Sequence, residues 1–146
     1  MTATIKDLLN EGRLEPVKKD PKAAAIILAD ATKHLEAAKA IAGLDPNGSY
    51  SLLYDAARKA VAAHMLASGY RSTKKQLGAH VAVVAYAEIE LSKGKFKADV
   101  ASFQRMRRNR NKSEYGVALF GQAEIKTDLI HARGIVESVE TNWPSD

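Results

Sequence analysis

The stretch Arg105-Met106-Arg107-Arg108-Asn109-Arg110-Asn111-Lys112-Ser113-Glu114-Tyr115-Gly116 holds the strongest concentration of chemistry-bearing side chains in the 146-residue chain. Five of the eight residues at 105–112 are cationic. Arginine carries a planar fork of donors that matches phosphate oxygens, so a phosphate-binding face is one reading. A solvated helix end is the other, because cations near a helix C-terminus complement its dipole by about 0.3–1 kcal/mol each. Charge alone does not choose between them. Spacing adds information, since residues three and four apart share a helix face. Arg107, Arg110, Asn111 and Glu114 line up, and Arg108, Asn111 and Tyr115 form an overlapping stripe. Such a cluster suits a site, and it equally suits an internal ion-pair network that anchors the helix.

Other chemistries find little support. The chain has no cysteine, which removes disulfides, thiol catalysis and thiolate metal sites together. No pair of its four histidines has the spacing of a zinc site on one helix, so no metal is expected. His34 and His64 read as boundary residues of amphipathic helices, and His80 as a helix-opening residue whose ring bonds a loop carbonyl. His131 lies off the apolar face of the last helix, where it could approach the arginine-rich one. Phosphate loops of the Gly-x4-Gly-Lys-Ser/Thr or Gly-x-Gly-x-x-Gly type are absent, as is a Gly-x-Ser-x-Gly elbow, and no cofactor is expected. The basic loop Arg71-Ser72-Thr73-Lys74-Lys75 reads as solvated, or as an extension of the phosphate surface if it lies beside the arginines. Tyr50, Tyr54, Tyr70, Phe96 and Phe120 could stack on bases, although packing is the commoner use of such rings.

The elements that must position these residues follow from apolar spacing. Ile5, Leu8 and Leu9 make a short amphipathic piece ending at Gly12, followed by a polar link. Asp20-Pro21, a cap followed by proline at the first helical position, opens helix A. Ala24, Leu28, Ala31, Leu35 and Ala38 lie on one face of it, and Gly43 is expected to stop it. A turn at 44–48 leads to helix B over 49–68, alanine-rich and therefore central, ending at Gly69. Helix C is expected over 78–91, helix D from near Ala98 to Tyr115-Gly116, and helix E over 123–141. No strand pair or internal repeat is evident. The predicted fold is all-α, an up-and-down antiparallel bundle of four to five helices, with residues 1–19 as a short helix and linker and 20–146 as the bundle.

Composition fits that picture. Hydrophobic residues make up 46% and charged residues 27%, both ordinary for a globular domain. The net charge of +5 is compatible with nucleic acid without being diagnostic of it. No apolar run reaches the ~20 residues that span a bilayer, and the N-terminus has no signal-peptide pattern. The expectation is a cytoplasmic protein without a membrane partner.

Arg110-Asn111-Lys112-Ser113-Glu114-Tyr115 resembles the Arg-x-x-x-Asp/Glu-Tyr signature found on a late long helix in one branch of the HEPN domains (higher eukaryotes and prokaryotes nucleotide-binding). Arg108-Asn109, then Ser113 and Tyr115, is also similar to the Arg-x4-His-x-Tyr signature of the ribonuclease branch, with Ser113 in the place of the catalytic histidine. Tyr54-Asp55-Ala56-Ala57-Arg58-Lys59-Ala60, then Gly69, then Gly78-Ala79-His80, is similar to the family's central helix, its glycine stop and the histidine opening the next helix. The resemblance covers residues 49 to 116, roughly half the chain.

It implies a helical bundle, usually a homodimer, often encoded beside a nucleotidyltransferase-type antitoxin in toxin–antitoxin or phage-defence modules. In the ribonuclease branch, arginine and histidine from two protomers face a shared cleft where RNA is cut without metal. Carried onto this chain, Arg108 and Arg110 would hold the scissile phosphate, with Glu114 or Tyr115 handling protons. Arg107, Asn109, Asn111 and Lys112 would bind the RNA or nucleotide. With serine at the histidine's place, ribonuclease activity is expected to be weak or absent, unless another histidine, His131 foremost, is borrowed. The alternative is a non-catalytic dimeric interaction or scaffold domain whose helix D cluster is structural. Aromatic residues such as Tyr50, Phe96 or Phe120, if exposed, would leave apolar surface for a dimer to bury.

Overall fold

The two longest helices of this chain start at an aspartate followed by a proline. In the computed structural model, which describes residues 3–73, 79–114 and 120–145, α1 spans Ile5–Asn10, β1 Leu14–Pro16, α2 Pro21–Ile41 and α3 Pro46–Ser68. Then come β2 (Tyr70–Ser72), α4 (Ala79–Glu90), a 3-10 turn (Gly94–Phe96), α5 (Lys97–Ala101), α6 (Phe103–Glu114) and α7 (Gln122–Thr141). The Asp20 carboxylate accepts from the Ala23 backbone N–H at 3.1 Å, and the Asp45 carboxylate accepts from that of Gly48 at 2.9 Å. Each satisfies one donor that a helix start leaves without an intrahelical partner. Gly69 adopts φ +94° after α3, the left-handed conformation that turns the chain out of a helix.

The fold is mostly helical with one small sheet, and it departs from the expected boundaries in four places. Pro46 opens α3, so residues 46–48 form its first turn rather than a preceding loop. Gly43 is not left-handed, and α2 has already ended at Ile41. The single helix D is two, α5 and α6, interrupted at Ser102. The Ser102 hydroxyl lies within hydrogen-bond distance of the carbonyls of Ala98 (3.0 Å) and Asp99 (2.9 Å), a local competition with the helix ladder that serine is suited to make. Finally, β1 and β2 pair antiparallel, with Leu14 opposite Ser72 and Pro16 opposite Tyr70. Strands of three residues are too short to show an alternating pattern, which is why no strand pair was evident.

Alanines let the long helices approach closely. Ala24 of α2 packs with Ala63 and Ala67 of α3, and at the other end the Ser49 hydroxyl donates to the Ala38 carbonyl at 2.6 Å. These contacts set α2 and α3 antiparallel. Gln122 donates to the Ala42 carbonyl and Arg133 pairs with Glu36, so α7 is antiparallel to α2 as well. Against α3 it runs in the same direction, Tyr50 level with Asp128 and His64 level with Asn142. Leu8 and Leu14 belong to the same buried core as α3 and α7, so the segment 1–19 is packed into the body of the protein. Tyr50, Phe96 and Phe120 are buried, which removes them as exposed surface for a dimer. Among the described residues, no helix is long and apolar enough to cross a membrane.

The cap at Asp45 predicts a measurable loss. Asp45→Ala should lower unfolding free energy by about 1 kcal/mol, as helix N-cap deletions typically do. Urea denaturation checks this, and an unchanged midpoint would show that the bond at Gly48 contributes nothing.

Candidate functional site

Helix α6 carries two polar flanks around one apolar stripe. Phe103 and Met106 are fully buried and fix which side faces the core. On one side of that stripe lie Arg105 and Asn109; on the other lies Arg107, and Arg110 continues the stripe one turn beyond Met106.

The first flank is an anchor. Asp128 of α7 is 1% exposed. Its carboxylate accepts from the Tyr50 hydroxyl at 2.7 Å and from both terminal nitrogens of Arg105 at 2.8 and 2.7 Å. Asn109 donates to the Tyr50 oxygen at 3.2 Å. The Tyr50 ring stacks on Phe120 with centroids 3.9 Å apart and planes within 7°. Burial first, then the bond to Asp128, pushes the Tyr50 phenol well above its ordinary range, so it stays protonated and donates. Asn109, expected to contact RNA, is instead engaged here.

The second flank meets α3 and α4. Asp55 lies 3.7 Å from the Arg58 Nε and 4.0 Å from an Arg110 terminal nitrogen. The Arg110 guanidinium sits over the Tyr54 ring, 5.9 Å from its centroid. The His80 ring lies 5.8 Å from that of Tyr54, which puts this histidine beside the arginine cluster; the loop before it, whose carbonyls it was expected to bond, lies outside the described residues. Arg107 is half-buried, and its Nε donates to Gln104 at 3.0 Å. Burial raises the Tyr54 phenol to about 12 against the opposing pull of Arg58, Arg107 and Arg110. Its hydroxyl is buried and, among the described residues, has no hydrogen-bond partner. Such a group costs about 1–3 kcal/mol, which a bound acceptor would recover. Burial, followed by Arg58 and Arg110, lowers the His80 pKa while Asp55 opposes them, so the ring is neutral at pH 7.

The remaining expected residues divide as follows. Arg108 and Lys112 are exposed, and Asn111 is half-buried. The Ser113 hydroxyl donates to the Arg110 carbonyl at 2.9 Å, so it is engaged by its own helix. Glu114 ends α6; its side chain and all of Tyr115 lie outside the described residues, as do Lys74 and Lys75. Arg71 pairs with Glu15 across the small sheet. His131 bonds Asp99 of α5 at 3.0 Å, which ties up the histidine expected to be borrowed. His34 accepts from Lys59 at 2.8 Å, and His64 bridges the Tyr86 hydroxyl and the Asn142 carbonyl, both at 2.8 Å. Among the described residues no cluster of three or more His, Asp or Glu could hold a metal. In the sequence, Asp55 and Arg58 enter only through the family resemblance, Tyr54 also as a possible stacking ring and His80 also as a helix-opening residue. The i,i+3 and i,i+4 spacing of Asp55 and Tyr54 to Arg58 already puts these three on one face of α3.

Two outcomes follow. Asp128→Ala should cost about 1.5–3 kcal/mol, the range for hydrogen bonds to a charged group, whereas exposed Arg108→Ala should stay within about 0.5 kcal/mol. Chemical denaturation compares them, and equal losses would dissolve the distinction between the flanks. Second, His64 and His80 both have lowered folded pKa values, so the unfolded chain binds more protons. Their contribution is present above the ordinary value of about 6.5 and is lost as pH falls through the folded pKa. NMR titration should give midpoints below about 6.5 for both rings, and higher midpoints would contradict the burial assigned to them.

No family model, curated protein or solved structure matches the chain.

Proposed function

We propose that the face where α3, α4 and α6 meet binds phosphate groups of RNA or a nucleotide, and that the chain is a HEPN-like component of a toxin–antitoxin or phage-defence module. The observation that carries this is the convergence of Arg58, Arg107 and Arg110, from two helices, around Tyr54 and His80. Half-buried guanidinium groups are preorganised for charge-assisted, two-pronged bonds to phosphate. The Tyr54 hydroxyl supplies a donor that lacks an acceptor. Exposed Arg108 and Lys112 flank the cluster and suit the neighbouring phosphates of a strand. The antiparallel α2–α3 and α2–α7 pairs support an up-and-down bundle, in which α3 and α7 would be a same-direction pair.

Cleavage in this reading is weak or absent. Serine cannot titrate near neutral pH, and the Ser113 hydroxyl is bonded to the Arg110 carbonyl. His80, neutral and inside the cluster, is a better placed proton acceptor than His131. The scaffold reading is favoured by one observation, the Asp128 anchor, and it accounts for Arg105 and Asn109 rather than for the second flank.

Anisotropy of a labelled RNA oligonucleotide, titrated at several salt concentrations, separates the readings. Arg58→Ala, Arg107→Ala and Arg110→Ala should each weaken binding and reduce the slope of log affinity against log salt by about 0.7 for a single strand. Arg105→Ala should lower stability and leave that slope alone. Absence of binding at low salt, or arginine changes that cost stability without altering the slope, would defeat the proposal.

A further inference from the structure

Between the end of α2 and the start of α7, away from the arginine cluster, lies an open groove of about 390 Å³. That volume falls within the roughly 300–1,000 Å³ of small-molecule sites. Its apolar walls are Ala42, Ile125, Leu129 and Ile130, with the cations Lys39, Lys126 and Arg133 among them. The apolar surface is aliphatic, and no aromatic ring lines it. Ile125 is buried and Leu129 half-buried, while Ile130 is 62% exposed, unusual for so large an apolar side chain. Gln122, also in the lining, donates from its side-chain amide to the Ala42 carbonyl at 2.8 Å and so ties the two helix ends together.

Three cations gather here without a matching set of carboxylates. Positions three and four residues from Lys126 hold Gln122, Ala123, Leu129 and Ile130, so its own helix offers it no carboxylate. Glu36 is the one carboxylate three or four positions from Lys39, and it pairs with Arg133 instead, at 3.4 Å. Among the described residues no ion pair joins Lys39 or Lys126. Lys39 complements the negative end of α2, whereas Lys126, near the start of α7, has no such role. The Arg133–Glu36 pair also limits the length of the groove. It joins α7 to α2 across the seam, with this groove on one side and a second, lined by Ala25, Leu28, Ala29, Thr32 and Trp143, on the other. A partner helix lying along the seam would have to break that pair; a short ligand would not.

We infer that this groove binds a small amphiphilic anion, an aliphatic chain ending in a carboxylate. The chain answers Ile125, Leu129 and Ile130, and the head group answers Lys126 and Lys39. Lysine suits this division, because its methylene stem lies along apolar surface while its ammonium stays in water. An uncharged chain would leave the cations unanswered, and a bare inorganic anion would leave the apolar walls in water. A flat aromatic acid would find no ring to stack on. The assignment rests on the groove and its lysines and is independent of phosphate binding at the arginine cluster.

The test is NMR titration of the nitrogen-15-labelled full chain with sodium decanoate below its micelle concentration, with circular dichroism on every variant. Saturable shifts centred on Ile125, Leu129 and Ile130 are expected. Octanoate should bind more weakly, by about two- to fourfold per methylene removed. Decylamine, the cationic counterpart, should not bind. Lys126→Glu should weaken decanoate by about three- to tenfold with helicity unchanged. Lys22→Glu makes the same charge change seventeen residues before Lys39 on α2, about 25 Å away, and should leave the affinity alone. Absence of saturation, shifts centred elsewhere, or equal binding of decylamine overturns the inference. Equal losses from the two lysine changes overturn it too, by reducing the effect to net charge. Shifts produced by vesicles of phosphatidylglycerol but not by monomeric decanoate would assign the groove to a membrane surface instead. Saturating decanoate should leave RNA anisotropy unchanged, and competition would put the anion in the arginine cluster and overturn the site.

Discussion

A buried carboxylate has to be answered, and Asp128 is answered from two other helices. Its two oxygens take donors from Arg105 on α6 and Tyr50 on α3 while it sits on α7. An ionised group at 1% exposure would be prohibitively costly alone. Two-pronged pairing with a guanidinium makes the charge tolerable and fixes geometry at the same time. The rotation of α6 about its axis follows. With Arg105 and Asn109 held toward Asp128 and Tyr50, the helical period carries Arg107 to the other side of the buried Phe103–Met106 stripe and Arg110 onto its continuation, against Tyr54 of α3. The anchor and the arginine cluster are therefore one arrangement, in which a structural ion pair aims the groups that could bind a ligand.

A second constraint acts through a missing side chain. Gly134 lies inside α7, where glycine costs about 1 kcal/mol relative to alanine. A Cβ there would come within 2.2 Å of the Asp99 carboxylate, so the glycine is what lets α5 lie against α7. That approach brings Asp99 to His131. The interruption of the helix at Ser102 is part of the same arrangement, because it separates α5, which follows α7, from α6, which follows Asp128. His131 is thereby committed to a contact that a straight helix D would not have suggested.

Local signals were legible where the physics is local. The Asp20-Pro21 start, the Gly69 stop and the apolar faces of α2 and α7 follow from capping and from the helical period alone. Asp45-Pro46 is the same start signal as Asp20-Pro21, obscured by the surrounding asparagine and glycines, which favour turns. The β1–β2 pair, the Ser102 break and the split of α6 into two flanks depend on what packs opposite, and a single helix pattern holds no record of that. Arg107 and Arg110 could be put on one face from spacing. That Tyr54, Asp55 and Arg58 of α3 and His80 of α4 meet them could not, because the contacts join residues far apart in sequence. Nor could spacing tell Arg105 from Arg107, since both are arginines on one helix and only the partner across the interface separates anchor from site.

The two flanks also differ in how they are satisfied, and that difference bears on function. Around Asp128, each hydrogen-bonding group named has a partner. Around Tyr54, a fully buried hydroxyl among the described residues lacks one, and a histidine is held neutral amid arginines. Stability alone would favour replacing that tyrosine with phenylalanine, which keeps the ring over which Arg110 lies and removes the unpaired donor. Retaining the hydroxyl is understandable if an acceptor arrives. Phosphate oxygens meet that requirement and answer the guanidinium groups in the same event. The chain thus satisfies its polar groups where α6 is held against α7, and where α6 meets α3 it leaves the Tyr54 hydroxyl, an Asp55 oxygen and the Arg58 Nε without a hydrogen bond among the described residues.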